Sequence, residues 1–217
     1  MKNARPLPKF LVDRHHTWRK DLGPETRMRL SKLAADGQAP AAMMVACCDS
    51  RVMASDVFGA DAGEFFVHRN IANLVPSYLP DGQQHGTSAT IEYAVNVLKI
   101  SHLIVMGHFG CGGVAGCLAQ HQNPDLKHEE NTAFVTHWLE VLEPRVPTVL
   151  GKGLSEQQML RALEHQAVLL SLENLMTFPF VKSAVEAGTL ELHGIWNDIQ
   201  GGILEYYDAA AGDFVPV

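Results

Sequence analysis

The chain has 217 residues, 47% of them hydrophobic, and a formal net charge of −7. That is enough apolar material for one large globular domain and too much for a disordered chain. The negative field disfavours nucleic acid and anionic membrane as partners, and no apolar run approaches the length of a bilayer span.

The first six residues, Met1-Lys2-Asn3-Ala4-Arg5-Pro6, lack the apolar stretch of a secretory signal, so a cytoplasmic location is expected. Four cysteines (Cys47, Cys48, Cys111 and Cys117) are too few for a disulfide scaffold in a chain this long. In a reducing compartment they point to metal or redox chemistry.

After an extended basic start, Phe10 to Asp36 reads as two helices broken near Gly23-Pro24, with Gly37 as a C-cap. Met43 to Cys48 is a buried strand, Ala54 to Phe58 a short helix, and Glu64 to His68 a second strand. Ile91, Ala94, Val95 and Leu98 repeat at helical spacing within Thr87 to Leu98. Leu103 to Gly107 is a third strand, and a helix opens near Cys111 or Gly112. Residues 121–130 read as a loop. Helices follow over Thr132 to Leu142, over Ser155 to Met176 with a capping box to Gln158, and over Phe180 to Ala187. Leu190 to Trp196 and Ile203 to Tyr207 are strands joined by a hairpin at Gly201-Gly202. Strands separated by helices predict an α/β fold with a central, mostly parallel sheet. Four parallel strands and one edge strand are expected, flanked by helices. The chain reads as a single domain, with residues 1–37 a helical arm and 38–217 the core.

Two strand ends hold the chemistry. In Cys47-Cys48-Asp49-Ser50-Arg51, alternation along extended backbone brings a thiol, a carboxylate and a guanidinium to one side. A carboxylate beside a thiol disfavours the thiolate, whereas a bound dication reverses that preference. Arg51 can hold Asp49 in a two-point pair and decide whether it faces the metal. The second end, Gly107-His108-Phe109-Gly110-Cys111-Gly112-Gly113, places an imidazole and a thiol three residues apart across a strand-to-helix turn. That spacing lets both converge on one ion. Residues 110–115 also fit a dinucleotide fingerprint ending in alanine, but no strand with a terminal acidic residue follows about 20 residues on.

Cys-x-Asp-x-Arg followed by His-x-x-Cys, each at a strand's end, resembles the β-class carbonic anhydrases. The match extends to Gly63-Glu64, Arg69-Asn70-Ile71-Ala72-Asn73, Ile91-Glu92-Tyr93-Ala94-Val95 and Leu192-His193-Gly194, and covers most of residues 38–207. The resemblance implies that Cys47, His108 and Cys111 bind Zn2+, with water or hydroxide completing the site. It implies reversible hydration of carbon dioxide to bicarbonate and a proton, by attack of zinc-bound hydroxide. Asp49 would pair with Arg51 or swing in as a fourth metal ligand. Two thiolates cancel more of the ion's charge than imidazoles would, so activity is expected to rise with pH.

The family's substrate pocket maps onto Gln38, Phe66, Ile71, Tyr93 and Gly112, with Tyr93 entering from a neighbouring subunit. Self-association as a dimer or tetramer is implied, with the N-terminal arm embracing the partner. The bicarbonate-inhibited subclass has a tryptophan where this chain has Met44, and Ala46 precedes Cys47, which favours the open form of the site. Cys48 is expected buried and inert, and Cys117 a packing residue. His68 or His193 could carry the proton away. Carbon disulfide or carbonyl sulfide as substrate, and a purely structural or sensing zinc, are the competing functions.

Overall fold

The computed structural model describes residues 3–128 and 130–217, in two compact units: residues up to Ala39, and Pro40–Val217. The first unit is a helix pair, α1 (Lys9–Asp21) and α2 (Pro24–Asp36). Pro24 occupies the first turn of α2, where its missing N–H costs nothing. Arg27 staples the break by donating from Nε to Leu22 O at 3.0 Å and from Nη2 to Arg19 O at 2.6 Å. Gly37 ends α2 at φ 83°, a conformation that favours glycine. No residue of either helix is buried.

The second unit is built on a six-stranded sheet among the described residues, in the order β2-β1-β3-β4-β5-β6. In chain order β1 is Ala42–Cys47, α3 Ala54–Val57, β2 Phe65–Asn70, α4 Gly86–Glu92, β3 His102–His108 and α5 Gly112–Gln122. They are followed by α6 Ala133–Leu139, α7 Glu156–Leu175, α8 Pro179–Glu186, β4 Glu191–Asp198, β5 Ile203–Asp208 and β6 Asp213–Pro216. Strands β1 to β4 run parallel, and β5 and β6 are antiparallel. Every residue of β1 is buried, as expected of a strand covered on both faces.

The sheet therefore exceeds expectation by one strand. Asp213–Pro216 pairs with β5 through Tyr206–Val215 and Tyr207–Phe214. It is four residues long and follows a turn at Gly212, so its alternation is too short to read in advance. The helix expected over Thr87 to Leu98 is α4 continued by a wider turn over Tyr93–Leu98, closed by Lys99 in the left-handed region at φ 56°. The polar stretch after α5 contains a single-turn helix at Pro124–His128 rather than an open loop.

Side chains from β1 alternate between two apolar layers. Met43 and Val45 join Leu103, Val105, Val168 and Phe178 on the face covered by α7 and α8. Met44 and Ala46 join Val52, Met106 and Ile195 on the other. A further cluster gathers Cys47, Ala72, Cys111, Val114, Leu163 and Ala167 at the carboxyl ends of β1 and β3. That is the end at which open parallel sheets bind ligands.

Candidate metal centre

Cys47 closes β1, His108 closes β3 and Cys111 precedes the first turn of α5. All three are buried, and their ligating atoms lie within 4.8 Å of one another. The two sulfurs are 3.9 Å apart. Two thiolates on one tetrahedral zinc stand about 3.8 Å apart, given zinc–sulfur bonds of about 2.3 Å. The imidazole is oriented as a ligand: Nδ1 is 3.0 Å from Phe109 O and donates to it, which leaves the Nε2 lone pair free. That Nε2 is buried and has no hydrogen-bond partner. A buried, unpartnered nitrogen beside two sulfurs at ligand spacing fits zinc.

The local electrostatics favour anionic sulfur. The Cys111 S–H beside it, with the backbone N–H groups of Asp49 and Ala72, holds the Cys47 thiol down at about 4 against the opposing effect of burial. Cys111 is pushed up, first because it donates to Cys47 and then by burial, while the N–H groups of Val114 and Gly113 at the start of α5 oppose the rise. Burial alone would lower His108; the Cys47 sulfur beside it overrides that and leaves it raised. Ala72 reaches Cys47 from an unusual conformation for a non-glycine residue, φ 60°. The turn after β2 is thus shaped to aim an N–H at sulfur.

Asp49 is not part of the ligand group; Arg51 holds it. Arg51 Nε donates to Oδ1 at 2.9 Å, Nη2 to Oδ2 at 2.7 Å, and the Arg51 backbone N–H to Oδ1 at 2.9 Å. Nη2 also donates to Gly110 O at 2.9 Å, tying the β1 loop to the β3 loop. This pairing holds the Asp49 carboxyl far below the usual carboxylate range. Arg69 clamps the same loop from beneath, donating to Cys47 O at 2.9 Å, Asp49 O at 2.7 Å and Val52 O at 2.8 Å.

One residue of the centre escaped sequence reasoning. Glu164, on α7 and 2% exposed, accepts the Cys111 N–H at 3.0 Å through Oε1 and the Trp196 indole N–H at 3.0 Å through Oε2. Burial raises its carboxyl despite these two donors. A glutamate on the inner face of an otherwise apolar helix, among Leu163, Ala167 and Val168, was the available signal.

The other expected site residues are dispersed. Ile71 and Gly112 line a mainly apolar groove of about 390 Å³ with Gly113, Val135 and Leu139. Gly113 is required there, since a Cβ would meet Ile71 Cγ2 at 2.7 Å. Phe66 pairs in register with Met43, four residues and about 13 Å back from Cys47 along the strand. Its ring stands 5.9 Å from that of Tyr93, which is 45% exposed. Gln38 is exposed at the end of the first unit. Cys48 corrects an expectation: it is exposed, one residue past the end of β1 at Cys47. Cys117 is buried as expected, its S–H donating to Leu139 O at 3.6 Å. His193 lies toward the start of β4, remote from the centre, whereas His68 Nε2 is 3.0 Å from Thr87 Oγ1 beside β1.

Residues 42–204 match the family model for carbonic anhydrase. A carbonic anhydrase of Pseudomonas aeruginosa is 37% identical over 209 residues, 94% of this chain and 90% of that one. Beta carbonic anhydrase 3 of Arabidopsis thaliana is 33% identical over 177 residues, 80% of this chain and 67% of that one. Among solved structures, the β-carbonic anhydrase CcaA superposes with a TM-score of 0.86 at 29% identity, covering 96% of this chain and 91% of that one. A structure described as one of two tetrameric β-carbonic anhydrases from Sordaria macrospora gives 0.74 at 28% identity, over 91% and 95%. The chain belongs to the β-class carbonic anhydrase family. It is a zinc enzyme that interconverts carbon dioxide and bicarbonate, and Cys47, His108 and Cys111 form a group of the kind that holds zinc.

Proposed function

We propose that this carbonic anhydrase works in the open form of the site, with Asp49 kept off the metal, and lies outside the bicarbonate-inhibited subclass. The observation that carries this reading is the two-point Arg51–Asp49 pair, braced by the Gly110 carbonyl. It is supported by Met44 and Ala46 in β1, where that subclass carries a tryptophan at the first of these positions.

Zinc, when bound, supplies a Lewis acid that brings the pKa of a coordinated water toward neutrality. The chain's own residues do the rest. Asp49, held ionised by Arg51, accepts a hydrogen bond at the reacting centre and fixes the direction of attack. Carbon dioxide offers little to hydrogen-bond, so the apolar groove at Ile71 suits it. The Gly112 N–H, at the positive end of α5, is a donor that would suit an anionic product. Phe66 and Tyr93 sit away from their own chain's centre and serve the pocket of a second copy. The helical arm, with Phe10, Trp18 and Met28 exposed, embraces that copy in a dimer or tetramer. Reduced thiols at the centre fit a cytoplasmic location.

Stopped-flow hydration with a pH indicator, from about pH 6.5 to 9, tests the open form. The rate should rise smoothly with pH, and bicarbonate should act only as product. Steep cooperative inhibition by bicarbonate, with a carboxylate entering the zinc coordination shell at low pH, would refute it. A monomer by light scattering would remove the second-copy assignments.

A further inference from the structure

The amino ends of β3 and β4 carry a second concentration of ligating side chains. His102 opens β3 and Glu191 opens β4, and the parallel register sets them side by side, with His193 two residues further on. His102 Nδ1 stands 3.1 Å from His193 Nε2. Glu191 Oε2 lies 3.7 Å from each of these two nitrogens. The ring centroids are 5.3 Å apart and tilted by 43°, so ring edges converge rather than faces.

One hydrogen bond joins the two imidazoles, and Glu191, beyond hydrogen-bond range, lies within ion-pair distance of both. A shared cation accounts for all three. Atoms at these separations enclose a point roughly 2.0 Å from each, the bond length of zinc to imidazole nitrogen or carboxylate oxygen. We propose that His102, Glu191 and His193 form a second metal site, for a divalent transition cation of the zinc type. Two imidazoles and one carboxylate, with no thiolate, suit Zn2+ and disfavour Ca2+ and Mg2+, which want oxygen alone. The three side chains are 44%, 68% and 40% exposed, so solvent completes the shell and the ion exchanges freely.

His102 and His108 are the first and last residues of β3, about 20 Å apart. The second ion therefore takes no part in hydration. It clips two central strands together at the end of the sheet remote from the catalytic centre, and this assignment stands whether or not the open-form reading holds.

Calorimetric titration of the enzyme, already loaded with one zinc per chain, with zinc chloride tests the site. The wild-type protein should take up one further equivalent per chain and gain thermal stability on doing so. His102→Gln and His193→Gln should each abolish that uptake while keeping the first zinc and the hydration activity. Glu191→Gln, a change at an exposed carboxylate that leaves folding intact, should weaken it by about tenfold or more. Absence of a second equivalent in the wild type overturns the proposal. So does a second equivalent that survives unchanged in Glu191→Gln or in the double histidine variant.

Discussion

At the scale of single residues, the proposed open form rests on Arg51, which holds Asp49 by two guanidinium hydrogen bonds. In Arg51→Leu the carboxylate loses both its donors from the guanidinium and is free to compete for the metal. Hydration activity at neutral pH should fall by about 10- to 100-fold while zinc content stays at wild-type level, read by metal analysis beside stopped-flow rates. Glu164 acts one step further out. Glu164→Gln keeps the shape, but one amide group replaces an acceptor facing the Cys111 N–H or the Trp196 indole. Zinc affinity should drop by about 10- to 100-fold in competition with a chelator, with the fold retained by circular dichroism. The convergence of Cys47, His108 and Cys111 and the pairing of Asp49 with Arg51 were readable in the chain, because each group lies in a short spacing at a strand's end. Glu164 was not, since it meets Cys111 from 53 positions further along the chain through a single side-chain contact. The exposure of Cys48 was misjudged because strict alternation was carried one residue past the end of β1.

At the scale of elements, the site depends on how closely α7 lies on β3 and β4. Gly107 allows that approach: a Cβ there would meet Val168 Cγ2 at 2.8 Å and Trp196 Cδ1 at 3.4 Å. Gly107→Ala must push α7 away or displace Trp196, so it should cost about 1–3 kcal/mol in denaturant melts. Sequence periodicity found the parallel strands and long helices because each spans enough residues for its pattern to repeat. The capping box at Ser155 and Gln158 was also readable, as it lies within four consecutive residues, and both of its hydrogen bonds form. What stayed hidden is short or set by tertiary pairing. Strand β6 exists because β5 offers it an edge, and the widened turn after α4 ends on a left-handed lysine that no propensity favours.

For the whole molecule, acid sensitivity should originate partly outside the metal-binding group itself. His165, on α7, is stacked 4.1 Å from Phe214 and set edge-on to Trp196 at 5.2 Å. Burial holds it down from 6.5 to about 4, although the Glu205 charge opposes the shift. Between those values the unfolded chain binds a proton that the folded chain refuses, so stability falls as pH drops from about 6.5 towards 4. Thermal melts across that window should show a decline that is shallower in His165→Gln. An equal slope in both proteins would assign the acid loss to other groups.

The bridge through Glu164 has an optical consequence. The indole of Trp196 shares a carboxylate with the backbone of a metal ligand, and Trp138 donates to Ile71 O at 2.8 Å beside the groove. Two of the three tryptophans therefore report on the centre without any attached dye. Stripping the metal with a chelator should shift the intrinsic fluorescence of the folded enzyme. A Trp196→Phe variant should lose most of that signal, so loading and release could be followed in real time by emission alone.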